Sequence, residues 1–149
     1  MSTQLLLLYG LAVMIGIMGG IHIPINGALG NRIQSPLLAT VVFYSIGLGM
    51  VGTAFLIAGN RAALMALQEA PRWYFLAGAI SAVVVASSTF LIPRIGAINL
   101  FVIVIALQMV SRMVISHYGW FESPMAPISP FKILGALMLL VGAVLVVRN

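Results

Sequence analysis

Residues 97–119 read AINLFVIVIALQMVSRMVISHYG. From Ala97 to Leu107 the only polar side chain is Asn99. A helix needs ~20 mostly apolar residues to cross a bilayer, and this run supplies them. Arg112 stands well inside it. A charge at membrane depth costs ~2.5–3.5 kcal/mol on insertion scales, so such residues tend to be functional. Gln108, Arg112 and Ser116 are spaced by four and stack along one helix face. Ser111 lies beside that stripe, and Asn99, nine before Gln108, falls on the same broad side. A polar stripe of this kind faces protein or water, not lipid. Two readings stand: a substrate-facing surface with Arg112 as an anion-binding or gating charge, or an Arg112 that snorkels to the interface near His117.

The rest of the chain has the same character. It has 149 residues, 62% of them apolar and 6% charged, with a mean hydropathy of +1.19. A soluble domain carries about 25% charged residues, so lipid is the solvent here. The net charge of +5 comes from scattered single Lys and Arg residues. No basic face suggests nucleic acid. There is no cysteine, so neither disulfide nor thiol chemistry applies. Five segments qualify as spans: Gln4–Ile25, Leu37–Ala58, Trp73–Pro93, Gly96–Ser116 and roughly Ile128–Val147. The expectation is an all-α, multi-pass inner-membrane protein with one transmembrane domain over residues 1–149. Gln4–Ile23 lacks a basic leader and a small-residue cleavage site, so it reads as a retained helix. Turn chemistry marks every link: Asn31 to Pro36, Asn60 to Pro71, Pro93 to Gly96, and His117 to Pro130. The second link starts at an Asn60 cap and forms either a short interfacial helix or a wet loop. Trp73, Tyr74, Trp120 and Phe121 fall at span ends, where aromatic rings favour the interface.

An odd number of spans puts the termini on opposite sides. Arg61, Arg72 and Lys132 then lie on one side; Arg32, Arg94 and Arg148 lie on the other. The excess of basic residues that normally fixes orientation is absent, even if Arg112 adds one to a side. Such a chain can insert both ways, and two copies in opposite orientations make an inverted pair. That is the symmetry many alternating-access transporters carry within one polypeptide. The alternative is a single orientation set by the insertion machinery or a partner chain.

The first span ends in GGIHIPINGALGN, residues 19–31. Pro24 frees a backbone carbonyl, and His22 and Asn26 share a face. Kinked spans beside polar residues line transporter cavities, or simply pack against neighbours. In the last span Gly135 and Gly142 share a face and read as a dimer seam, the alternative being packing within one subunit. The two acids, Glu69 and Glu122, both lie in loops. Without an intramembrane carboxylate, a neutral or anionic solute fits better than an organic cation. No zinc, serine-hydrolase or phosphate-loop motif is present, so no catalytic residue, metal or cofactor is expected and the chain reads as a non-enzyme.

Three stretches carry a resemblance. They are INGALGNRIQSPLLATVVFYSIG, PRIGAINLFVIVIALQMVSRMVISHYGWF and KILGALMLLVGAVLVV. Together they resemble the YdcZ-type branch of the drug/metabolite transporter superfamily over nearly the whole chain. The motifs are Asn26 with Gly27, Pro93–Gly96, Gln108, and HYGWF. The resemblance implies a short five-helix transporter of small solutes working as an inverted pair. The last-span glycine spacing is also similar to the dimer helix of small multidrug resistance proteins. One position departs. The family pattern often has Asp just before the His of the HxG stretch, where this chain has Ser116, so no carboxylate is carried over. The expected function is alternating-access transport of a small solute by an antiparallel homodimer in the bilayer. Asn26, Gln108 and Arg112 would line the site, with Asn99, Ser116 and His22 as further members. The rival readings are a half-transporter needing a paralogous partner, a channel, and a non-transporting scaffold.

Overall fold

The computed structural model describes residues 3–59 and 62–148. Asn60, the expected cap of the second link, and Arg61 lie outside the described residues. The elements are α1 (Thr3–Arg32), α2 (Pro36–Ala58), α3 (Ala62–Glu69), α4 (Leu76–Ile95), α5 (Ala97–Tyr118) and α6 (Pro130–Arg148). A 3₁₀ turn over Arg72–Phe75 leads into α4. Among the described residues five helices are long and apolar enough to cross a membrane: α1, α2, α4 with its leading turn, α5 and α6. The protein is an all-helical membrane protein with five spans.

The ends of the helices differ from the sequence reading. The helix α1 runs seven residues past Ile25 to Arg32, unbroken through Pro24. Membrane helices tolerate proline where neighbouring elements hold the chain. Pro93 and Arg94 likewise belong to α4, which leaves Gly96 as the whole third link.

Two compact units are present, Met1–Arg94 and Ile95–Asn149. In the first, α1 and α2 form a hairpin closed by local chemistry. Ser35 donates its N–H to Gly30 O at 3.0 Å, and Ile33 donates to Leu29 O at 3.0 Å. The Ser35 hydroxyl then accepts from Leu38 N at 3.2 Å, and Pro36 stands at the first helical position. A serine cap followed by proline is a strong helix start, since proline has no N–H to leave unpaired. The interior of this unit is small and polar: Asn26, Gly27, Gly30, Ala39, Thr40, Val85, Ser88 and Thr89 are buried. Lipid is as apolar as leucine, so close approach and interhelical hydrogen bonds replace a hydrophobic core.

The second unit packs α6 on α5. Leu100 and Ala106 of α5, and Ala136 and Ala143 of α6, are its buried apolar residues. Gly119 ends α5 in the left-handed region at φ 65°, its N–H bonded to Ile115 O. The same device as at Ser35 opens α6: the Ser129 hydroxyl accepts from Lys132 N at 3.3 Å, ahead of Pro130.

Candidate functional site

Within the first unit, a buried node joins α1 to α4. The Asn26 amide donates to Thr89 Oγ1 at 2.7 Å. Thr89 in turn donates to Val85 O at 2.8 Å, one turn back in its own helix. Asn26 is 4% exposed and Thr89 is fully buried. Gly27 and Gly30 permit the approach. A Cβ at Gly30 would meet Thr89 Cγ2 at 2.7 Å and Pro36 Cα at 3.2 Å. Asn26 thus spends one donor on α4 and sits in packed interior.

One turn earlier on α1 is a more open band. His22 is exposed, and its Nδ1 lies 3.0 Å from Met18 O. A carbonyl only accepts, so in this contact Nδ1 is the donor. Phe43 of α2 stacks on this imidazole, centroids 5.7 Å apart at 24°. Tyr44 packs edge-on against Phe43, and its hydroxyl pairs with Ser81 of α4 at 2.6 Å. Helix rise puts His22 about 15 Å from Arg32, and Tyr44 about 12 Å from Pro36.

The second unit holds the charged part. Arg112 Nη2 donates to Gln108 Oε1 at 3.4 Å, on an exposed face of α5. Gln108 is one turn farther from the Tyr118 end, so the guanidinium reaches along the helix away from that end. This is the normal lean of helical side chains. The other expected members of the stripe bond elsewhere. Asn99 donates across the Gly96 link to the carbonyl of Ile95, the last residue of α4, at 2.9 Å. Ser116 serves the loop after α5: its carbonyl accepts from Ala126 N at 2.9 Å, and its hydroxyl lies 3.5 Å from Ser123 Oγ. Beside it, His117 Nδ1 accepts from Ile128 N at 3.2 Å. On α6, nothing lies within 4 Å of a Cβ placed at Gly135 or Gly142. Ala136 and Ala143, the next residue in each case, are the ones buried.

The structure therefore brings Gln108 and Arg112 together and leaves Asn99 and Ser116 apart from them. Thr89, Phe43, Tyr44 and Ser81 escaped the sequence reading. Their signal was hydroxyl and aromatic residues inside otherwise apolar spans, weaker than the amide that picked out Asn99. Among the described residues no group of His, Asp and Glu is placed to hold a metal ion.

The family model described as "Putative inner membrane exporter, YdcZ" matches residues 7–145. No curated protein and no solved structure matches the chain.

Proposed function

The chain belongs to the YdcZ family of inner-membrane proteins, and from that premise we propose that it moves a small solute by alternating access as an inverted homodimer. The observation that carries the site is the Gln108–Arg112 pair. Only one donor of the guanidinium is engaged, and the others have no partner among the described residues. Arginine stays charged and presents a fork of donors suited to a carboxylate or phosphate. Its reach toward Gln108 supports a cavity-facing role over interfacial anchoring. The solute is anionic, or neutral with a strongly accepting group.

Two features support the inverted pair. Basic residues are balanced between the loops on the two sides. The Gly135–Gly142 face of α6 is open, while the alanine face beside it is occupied by α5. A second copy packing on that face would complete a ten-helix transporter with its site near the bilayer midplane.

The cysteine-free chain makes the test simple. Single cysteines at Glu69 and Met125 are labelled in intact cells with an impermeant reagent. About half-labelling at both sites, rising to full labelling after permeabilisation, is the expected result for dual topology. All-or-none labelling would overturn the inverted homodimer. Arg112→Gln should abolish binding of benzoate, an anionic probe, and leave dimerisation intact; unchanged benzoate binding would remove Arg112 from the site.

A further inference from the structure

We propose that the groove between the start of α2 and the end of α4 holds an anionic glycerophospholipid, its acyl chain along the groove and its phosphate on Arg94. The groove has a volume of about 530 Å³ and is lined by Pro36, Leu37, Ala86, Ser87, Phe90 and Leu91. Two helices build it, and the Tyr44–Ser81 hydrogen bond ties the same two farther from the first link. Leu37 and Phe90 are 71% and 46% exposed, so the groove opens sideways, where a membrane protein meets acyl chains.

On α4 the residues Ser87, Phe90, Leu91 and Arg94 follow at three, four and seven positions from the first and share a face. Arg94 leans back along that stripe. Its guanidinium carbon lies 3.5 Å from the centroid of the Phe90 ring, and Nη1 donates to Phe90 O. The charge is thereby held at the rim of the groove, over a ring that lines it, one residue from the end of α4. The remaining guanidinium N–H groups have no partner among the described residues. Ser87 also stands apart from its neighbours. Ser88 and Thr89 bond back to Val84 O and Val85 O, whereas the Ser87 hydroxyl has no partner among the described residues.

The occupant is therefore apolar along its length and anionic at one end. Protein supplies no such anion locally, since residues 31–36 and 76–95 contain no acid, and Arg32 adds a second cation at the end of α1. Arginine suits a phosphate, to which its planar fork donates in pairs, and basic sites between spanning helices take anionic headgroups in this way. A phosphate on Arg94 leaves the ester carbonyls of the lipid on the side toward Ser87, whose hydroxyl can donate to one. A choline headgroup carries its own cation beside the phosphate, so it competes with Arg94 where a glycerol headgroup does not.

The test uses the full chain in phosphatidylcholine nanodiscs. A trace of phosphatidylglycerol or of phosphatidylcholine is added, each carrying the same photoreactive diazirine on one acyl chain. After illumination the labelled residues are mapped by peptide mass spectrometry. The glycerol probe should label Leu37 and Leu91 about five-fold more than the choline probe, the worth of one arginine near a lipid phosphate. Arg94→Gln should bring the probes level, Arg94→Lys should keep most of the preference, and Arg148→Gln should leave it whole. Ser87→Phe, which fills the groove, should remove label from both positions. Equal labelling of the wild type by the two probes, or a preference that survives Arg94→Gln, would overturn the proposal. So would a groove that neither probe labels, the mark of a second copy or another chain covering it.

Discussion

At the scale of single residues, the glycines separate packing from open surface. Gly30→Ala drives a methyl into Thr89 and the Pro36 backbone. We expect a loss of about 1–3 kcal/mol, as for other overpacked sites, read by equilibrium unfolding in mixed micelles. Gly135→Ala meets open space and should leave that unfolding curve within ~0.5 kcal/mol of wild type. Asn26→Leu removes the donor to Thr89 Oγ1, leaves that hydroxyl only its bond to Val85 O, and should cost about 1 kcal/mol in the same assay. Asn26 stood out in the sequence because an amide in an apolar span is rare. Thr89 did not, for a physical reason: a helical threonine can satisfy itself on the carbonyl one turn back, so its presence in a span demands no partner. Only the approach of α1 at Gly27 and Gly30 shows that the hydroxyl also accepts. Arg112 and Gln108 were legible together because spacing by four fixes their contact. Asn99 and Ser116 shared the same face, yet nearer backbone and loop groups claimed their hydrogen bonds.

At the scale of elements, the helix starts were written more clearly than the helix ends. Ser35–Pro36 and Ser129–Pro130 each place a cap and a donor-free first residue where α2 and α6 begin. Proline was the less reliable guide to ends, because Pro24 and Pro93 both lie inside helices. The loop over residues 119–129 was read only as a link marked by turn chemistry, yet it folds back on α5. Its backbone reaches Ser116 and His117, and Lys132 Nζ bonds Pro127 O at 2.8 Å. Gly119 permits the turn, with Met125 Cγ at 2.9 Å from where a Cβ would stand. Gly119→Ala combines a left-handed backbone cost of roughly 1–2 kcal/mol with that clash. The expected outcome is a loosened loop, seen as faster thiol labelling of a cysteine placed at Ala126; an unchanged rate would mean the loop holds without its glycine.

At the scale of the whole molecule, the five spans were legible because hydropathy over ~20 residues dominates every other signal. The antiparallel pairing expected from the sequence is a surface property, of which one chain presents only half. The balance of basic residues gives a direct test. Gln68→Arg with Glu69→Arg weights the second link, and Asn31→Lys with Gln34→Arg weights the first. Each variant alone should insert one way and lose export, and co-expression of the two should restore it; full activity from either alone would argue against opposed orientations. One dimension of the molecule reaches further. The 30 residues of α1 make a rod of about 45 Å, half as long again as the ~30 Å hydrocarbon layer. The 19 residues of α6 measure only about 28 Å. In a thin bilayer α1 must lean or emerge, and thicker lipid lets it stand more upright. Acyl-chain length thereby becomes a mechanical input to this protein, acting on one helix more than on another before any solute arrives.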